Sequence, residues 1–393
     1  MRRLRYTGAV IRPWPAIDPG GRRTGAGARQ CAAWLLAVAA ATCSGAVAAG
    51  DAPAALPPGW HEDQVFDRHS PLAAKWEFAR RVFTPTTFDR LRRFERAAGV
   101  VAAEHALDLR EERFDVFVPG RRPPGGYGLV VFVSPMQDFV LPADWKRELD
   151  KRGIAFVAAR RSGNRENMYE RRMPLALHAY GNVAARLPLD PERVVVAGFS
   201  GGARIAQRLA LAYPDVFRGA ILFASSDPFG VPGVRPGEAP LWPPLREFME
   251  TFQARTRVVF ITGSQDLPNR ARDARTRESL RDYCVRHVTE IAISRLGHWL
   301  PDRRGLSRAL DAVGPGSGVA ADGPDAGCDG RLQRRVEAAL DDVAALLDAG
   351  RARAAGEALG RVEDRFGGLA APRSVELSHR IARALHAGGG QRD

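Results

Sequence analysis

The chain has 393 residues, 45% of them hydrophobic, ample for one large core with an extra element and too apolar for a disordered protein. Its formal charge is +13; residues 1–50 carry seven arginines and one aspartate, hence +6, which leaves +7 for the rest. The basic residues are arginines apart from Lys75, Lys146 and Lys151, and no basic block is interleaved with aromatics, so no nucleic-acid partner is expected.

Residues 1–50 have the plan of an export signal: a basic stretch, an Ala-rich apolar run over residues 31–49, and small residues before Gly50-Asp51. Cleavage is expected near Ala49, which would make the protein periplasmic or secreted, with no stable membrane span. An uncleaved anchor would need about 20 strongly apolar residues. A start codon downstream of Met1 and lipidation at Cys43 are open alternatives. Cys31 and Cys43 leave with the leader. Cys284 and Cys328 remain, and in an oxidising compartment they are expected to form one disulfide that ties the C-terminal segment to the main domain; two separate thiols are the alternative. No Cys/His cluster has zinc-ligand spacing, so no metal is expected.

Residues 51–70 are Pro-rich and read as irregular. Residues 71–98 have a helical rhythm carried by Trp76, Phe78, Val82, Phe88, Leu91 and Phe94, within an N-terminal segment that extends to 111. From Glu112 short apolar runs alternate with amphipathic stretches. This predicts an α/β domain over 112–313 with a mainly parallel sheet and helices on both faces. Strands are expected at Phe114–Val118, Leu129–Val133, Ile154–Ala158, Val194–Gly198, Ala220–Phe223, Val258–Thr262 and Val288–Ser294. Runs such as Val130-Val131-Phe132-Val133 are apolar throughout, as in strands covered on both faces. Helices are expected at Ala143–Lys151, Glu166–Arg186, Gly202–Tyr213, Leu245–Arg255, Arg270–His287 and Leu306–Val313. Residues 314–330 read as a linker, and 331–393 as a small appendage of three helices that packs on the main domain or serves dimerisation.

Gly198-Phe199-Ser200-Gly201-Gly202 fits G-x-S-x-G between an apolar strand and a helix, the setting of the nucleophile elbow of α/β hydrolases. Ser200 is the expected nucleophile, with the Gly201 N–H as an oxyanion donor. Chemistry gathers at the carboxyl ends of parallel strands, and the partners follow in the order Ser, acid, His. His298 lies past the last strand, at that edge. His287 precedes the same strand and lies about 23 Å away at the other edge. Asp266, just past the preceding strand, is the expected acid; Asp227, past the strand before that, is its rival. Asp273 and Asp282 are expected on the following helix, facing solvent. In the loop Ser134-Pro135-Met136-Gln137, Pro135 has no N–H, so Met136 is the expected second oxyanion donor, with Gln137 as runner-up. Trp299 is a candidate pocket wall or core residue. Asn164, with Arg160 and Arg161, is a candidate for binding a substrate carboxylate or hydroxyl, a solvated basic loop being the alternative.

Residues 114–313 resemble the α/β-hydrolase superfamily. They are most similar to secreted esterases of the polyhydroxybutyrate-depolymerase and feruloyl-esterase type. The matching stretches are 189–194, 198–202, 212–217, 262–266 and Leu296-Gly297-His298. The resemblance implies a carboxylic ester as substrate, an acyl-enzyme on Ser200 and no cofactor. Ser134-Pro135 departs from the His-Gly of many relatives. A peptidase on the same fold and a catalytically silent binding protein are the other readings.

Overall fold

A computed structural model of the chain describes residues 53–99, 103–231, 240–315 and 326–389. The export signal expected at 1–50 lies outside the described residues, as does the middle of the stretch read as a linker. Strand β1 (Gly59–Gln64) opens the described chain, followed by helices α1 (Lys75–Val82) and α2 (Pro85–Ala98). Then come β2 (Phe114–Val118), β3 (Tyr127–Val133), α3 (Ala143–Arg152), β4 (Ile154–Ala159), α4 (Met173–Ala184), β5 (Leu189–Phe199) and α5 (Gly201–Ala212). The sequence continues through β6 (Gly219–Phe223), α6 (Arg246–Arg255), β7 (Arg257–Gly263), α7 (Leu267–Asp282), β8 (Val288–Ile293) and α8 (Arg303–Val313). It ends with α9 (Ala326–Asp348), α10 (Ala352–Phe366) and α11 (Arg373–Gly389).

The eight strands form one sheet in the order β1-β2-β4-β3-β5-β6-β7-β8. The β1–β2 and β2–β4 pairs are antiparallel; every other pair is parallel. This is the α/β-hydrolase arrangement. Strands β3, β4 and β6 are buried at every position because both faces are covered. Along β3, Leu129, Val131 and Val133 enter one core layer, while Val130 and Phe132 enter the other. Helices α3 and α8 pack over the second layer through Trp145, Leu149, Leu306, Ala309 and Leu310. The first layer holds α4, α5 and also the C-terminal helices, which contribute Leu332, Val336, Leu340, Val343, Leu359, Val362, Phe366, Leu377 and Ile381.

Several elements differ from the sequence expectation. β1 lies inside the stretch read as irregular. Its GWHEDQ sequence has no alternating apolar face, and pairing with β2 makes it a strand. Residues 71–98 form two helices, because Phe83 and Thr84 are extended and Pro85 starts a new first turn. The expected helix 166–186 begins with a π-helical turn, Met168–Arg172, before Pro174 enters the first turn of α4. α7 stops at Asp282, not His287, since Cys284 takes a left-handed φ of 61°. α9 begins at Ala326, within the expected linker. Cys328 at its start is disulfide-bonded to Cys284. The N- and C-terminal helices also meet directly: Thr86 Oγ1 donates to Glu363 at 2.5 Å, and His379 Nε2 lies 2.7 Å from Asp89 Oδ2.

Candidate active site

Ser200 sits where β5 turns sharply into α5, with φ 52° and ψ −122°, a strained conformation for a residue with a side chain. The strain is held from several sides. Ser200 N–H donates to Phe223 O at 2.8 Å, and Ala203 N–H donates to Ser200 O at 3.0 Å. A Cβ on Gly202 would lie 2.0 Å from Val133 O, so only glycine lets α5 approach β3 this closely.

The structure brings Ser200, His298 and Asp266 together. Ser200 Oγ lies 2.9 Å from His298 Nε2, and His298 Nδ1 lies 2.6 Å from Asp266 Oδ2. With Asp266 as acceptor, Nδ1 carries the proton and Nε2 is left to accept from the serine hydroxyl. The imidazole packs on the Phe199 ring at 5.0 Å between centroids and stays partly open to solvent. Asp266 is buried at the start of α7, where the helix field favours a carboxylate. The loops after β7 and β8 are cross-linked: Arg295 N–H donates to Ser264 Oγ, and Gln265 N–H to Leu296 O, both at 2.9 Å.

Asn269 was not singled out from the sequence. Its amide nitrogen donates to both Asp266 oxygens at 2.9 Å and lies 3.1 Å from His298 Nδ1. The available signal was its position three residues after Asp266, on the first turn of the helix that Asp266 precedes.

The rival acid, Asp227, is committed elsewhere. It is buried and accepts from Arg204 at 2.8 Å, Arg208 at 2.7 Å and Arg272 at 3.1 Å. Against the cost of burial, Arg208 and Arg204 hold its carboxyl below the usual range. His287 is at the amino end of β7, where its carbonyl accepts from Val258 N–H at 2.8 Å. Asp282 is exposed, but the expectation that Asp273 faces solvent is corrected. Asp273 is 2% exposed and hydrogen-bonds Ser226 and Thr262 behind the sheet edge. Helical periodicity did not reveal this because α7 is polar nearly all round.

The loop after β3 is held by the loop after β4. Asn164 N–H donates to Pro135 O at 2.9 Å, and Arg161 N–H to Gln137 O at 2.7 Å. Gln137 Oε1 accepts from Gly163 N–H at 3.1 Å. Buried Arg172, in the π-helical turn, donates to Ser162 O at 2.7 Å and to Ser134 O at 3.0 Å. Met136 N–H, the expected oxyanion donor, donates to Ser134 Oγ at 2.9 Å and is therefore engaged. The Asn164 side chain lies against Gly201: a Cβ there would sit 2.1 Å from its Oδ1 and 3.0 Å from its Nδ2. Arg160 binds Asp115 at 2.9 Å and Asp63 at 3.0 Å, and Arg161 binds the Glu111 carbonyl and Glu112, so both arginines hold the N-terminal segment. Trp299 is 73% exposed, which excludes core packing. A cavity of about 350 Å³ opens between α6 and α9, and none of Ser200, Asp266 or His298 lines it.

No family model matches the chain, and no curated protein matches it. Solved structures do. Est1E from Butyrivibrio proteoclasticus is 13% identical over 52% of this chain and 94% of its own, with a TM-score of 0.36. An S-formylglutathione hydrolase from Agrobacterium tumefaciens is 15% identical over 51% and 86%, with a TM-score of 0.37. The Pyrococcus horikoshii acylaminoacyl peptidase is 15% identical over 51% of this chain but only 38% of its own length, with a TM-score of 0.39. The α/β-hydrolase architecture described above rests on strand order and direction, not on these likenesses.

Proposed function

We propose that this protein is a serine hydrolase that cleaves carboxylic esters through an acyl-enzyme on Ser200. The observation that carries the reading is the continuous hydrogen-bonded chain from Ser200 through His298 to buried Asp266, built on a strained strand-to-helix turn. His298 takes the hydroxyl proton as Ser200 attacks the carbonyl carbon. The C–O bond breaks, and the same imidazole returns the proton to the leaving alcohol. Water, deprotonated by His298, then releases the acid. Asp266 holds the imidazole tautomer and stabilises the imidazolium without taking its proton. Asn269 keeps Asp266 in register. The developing oxyanion rests on the Gly201 N–H at the positive end of α5, with the Asn164 amide as second donor because Met136 N–H is engaged. Trp299 lines the acyl or alcohol side of the open site. The Cys284–Cys328 disulfide supports an exported protein, and detection of the mature chain in the periplasm or medium tests that part.

A fluorophosphonate probe followed by peptide mapping tests the chemistry without presupposing a substrate. An adduct on Ser200 that disappears in His298→Ala supports the reading, and an ester and amide panel then sorts esterase from peptidase. A folded protein that forms no adduct refutes it in favour of a silent scaffold.

A further inference from the structure

Three histidines that take no part in the Ser200–His298–Asp266 chain meet beside α4. His69 follows β1, His105 precedes β2, and His178 lies on α4; they are 36 and 73 residues apart along the chain. One ring nitrogen from each lies within 4.8 Å of the other two. The His69 and His105 rings stack at 4.4 Å between centroids, and both meet His178 edge-on, at 5.2 and 5.6 Å. His178 is buried, His105 half-buried and His69 exposed, so the cluster opens to solvent on one side.

The nitrogen chemistry is suited to a cation. One ring nitrogen of the cluster stands apart, His105 Nδ1. That Nδ1 is shut away from solvent and has no hydrogen-bond partner among the described residues. A buried acceptor without a donor is costly, and such groups call for an explanation.

We propose that His69, His105 and His178 form a binding site for one divalent transition-metal ion of the zinc and copper class, which fastens the N-terminal segment onto α4. Imidazole nitrogens suit these ions and not calcium or magnesium, which take oxygen ligands. Three ligands leave a fourth position, on the solvent side, for water. A tetrahedral zinc brings its ligand nitrogens to about 3.4 Å of one another. Separations of up to 4.8 Å therefore close by about 1.4 Å, a movement that exposed His69 and half-buried His105 make towards His178. His178 Nδ1 accepts from Ser70 N–H at 3.0 Å, so the neutral ring holds its proton on Nε2. Coordination through Nε2 moves that proton to Nδ1 and releases Ser70 N–H; coordination through Nδ1 replaces the Ser70 bond directly. In either case the chain at Ser70, next to His69, shifts as the ion binds.

The test uses the full chain without an affinity tag, stripped by chelator. Zinc is titrated by calorimetry, and copper(II) by electron paramagnetic resonance. The expected result is one equivalent bound, imidazole nitrogen couplings in the copper spectrum, a raised Tm, and no response to magnesium. His69→Ala and His105→Ala, both at incompletely buried positions, are expected to weaken binding at least tenfold each while leaving the probe reactivity of Ser200 unchanged. His178→Gln, which keeps an acceptor for Ser70, is expected to do the same. No saturable uptake overturns the proposal. So does binding that survives in the His69→Ala/His105→Ala double variant, or that blocks Ser200 labelling, since the ion would then lie at His298.

Discussion

Replacing Asp273 by asparagine probes a buried proton directly. Thr262 Oγ1 donates to Asp273 Oδ2 at 2.6 Å, and Ser226 Oγ lies 2.6 Å from Asp273 Oδ1 and 2.9 Å from Thr276 Oγ1. The Thr276 hydroxyl donates to Arg272 O at 3.1 Å. With a proton on Asp273, donation runs from Asp273 to Ser226 to Thr276 to Arg272, each hydroxyl donating once. An ionised Asp273 takes the Ser226 proton and leaves the contact between Ser226 and Thr276 without one. Burial pushes Asp273 up to about 6 from the ordinary 3.8, with Asp266 pushing the same way and the two hydroxyls and Arg277 opposing. Because the folded pKa is raised, the folded state holds the proton more tightly than the unfolded chain. The resulting stability is fully present below pH 3.8 and is lost as pH rises through about 6. A shift of about two units corresponds to about 3 kcal/mol. The asparagine amide can donate to Ser226 and accept from Thr262 at any pH. Asp273→Asn is therefore expected to match the parent within about 1 kcal/mol at pH 4 and to exceed it by about 3 kcal/mol at pH 8. Urea unfolding of both proteins across pH 4 to 8 measures the difference, in which other titrating groups cancel. A difference that stays flat over that range refutes the buried proton.

Asn164→Ala is expected to lower kcat by about 10² to 10³ with little change in KM, as for loss of an oxyanion donor. An equal loss in binding of a ground-state ester would instead make Asn164 a substrate contact. Asn269→Ala leaves Asp266 without its lateral support, and slower fluorophosphonate labelling by about ten- to a hundredfold is expected; unchanged labelling would confine Asn269 to capping α7. The double variant Cys284→Ser/Cys328→Ser opens a closure of 44 residues and is expected to lose about 4 kcal/mol in denaturant unfolding. Gly202→Val, which would drive side-chain carbons into Val133 O, is expected to give no soluble folded protein.

What the sequence carried alone was chemistry between near neighbours in the chain. A strand, a glycine-flanked serine and a helix in succession constrain one another within a few residues, so the turn at Ser200 was readable from its own segment. The α/β alternation was equally local, because strands covered on both faces are apolar at every position. Strand direction then told which edge His287 and His298 occupy. Tertiary structure decided what depends on partners distant in sequence. Asp227 and Asp266 stand alike after successive strands, and what separates them is the arginines from α5 and α7 around Asp227 and the imidazole of His298 at Asp266. Ser134 Oγ engages Met136 N–H through a loop conformation that the loops after β3 and β4 impose on each other. β1 has no apolar alternation and becomes a strand because β2 offers it an edge. The same holds for His69, His105 and His178: no ligand spacing joins them in sequence, and they meet because the segments flanking the N-terminal helices cross α4. Side chains brought together by packing have no fixed separation along the chain, so no pattern in the sequence can register them.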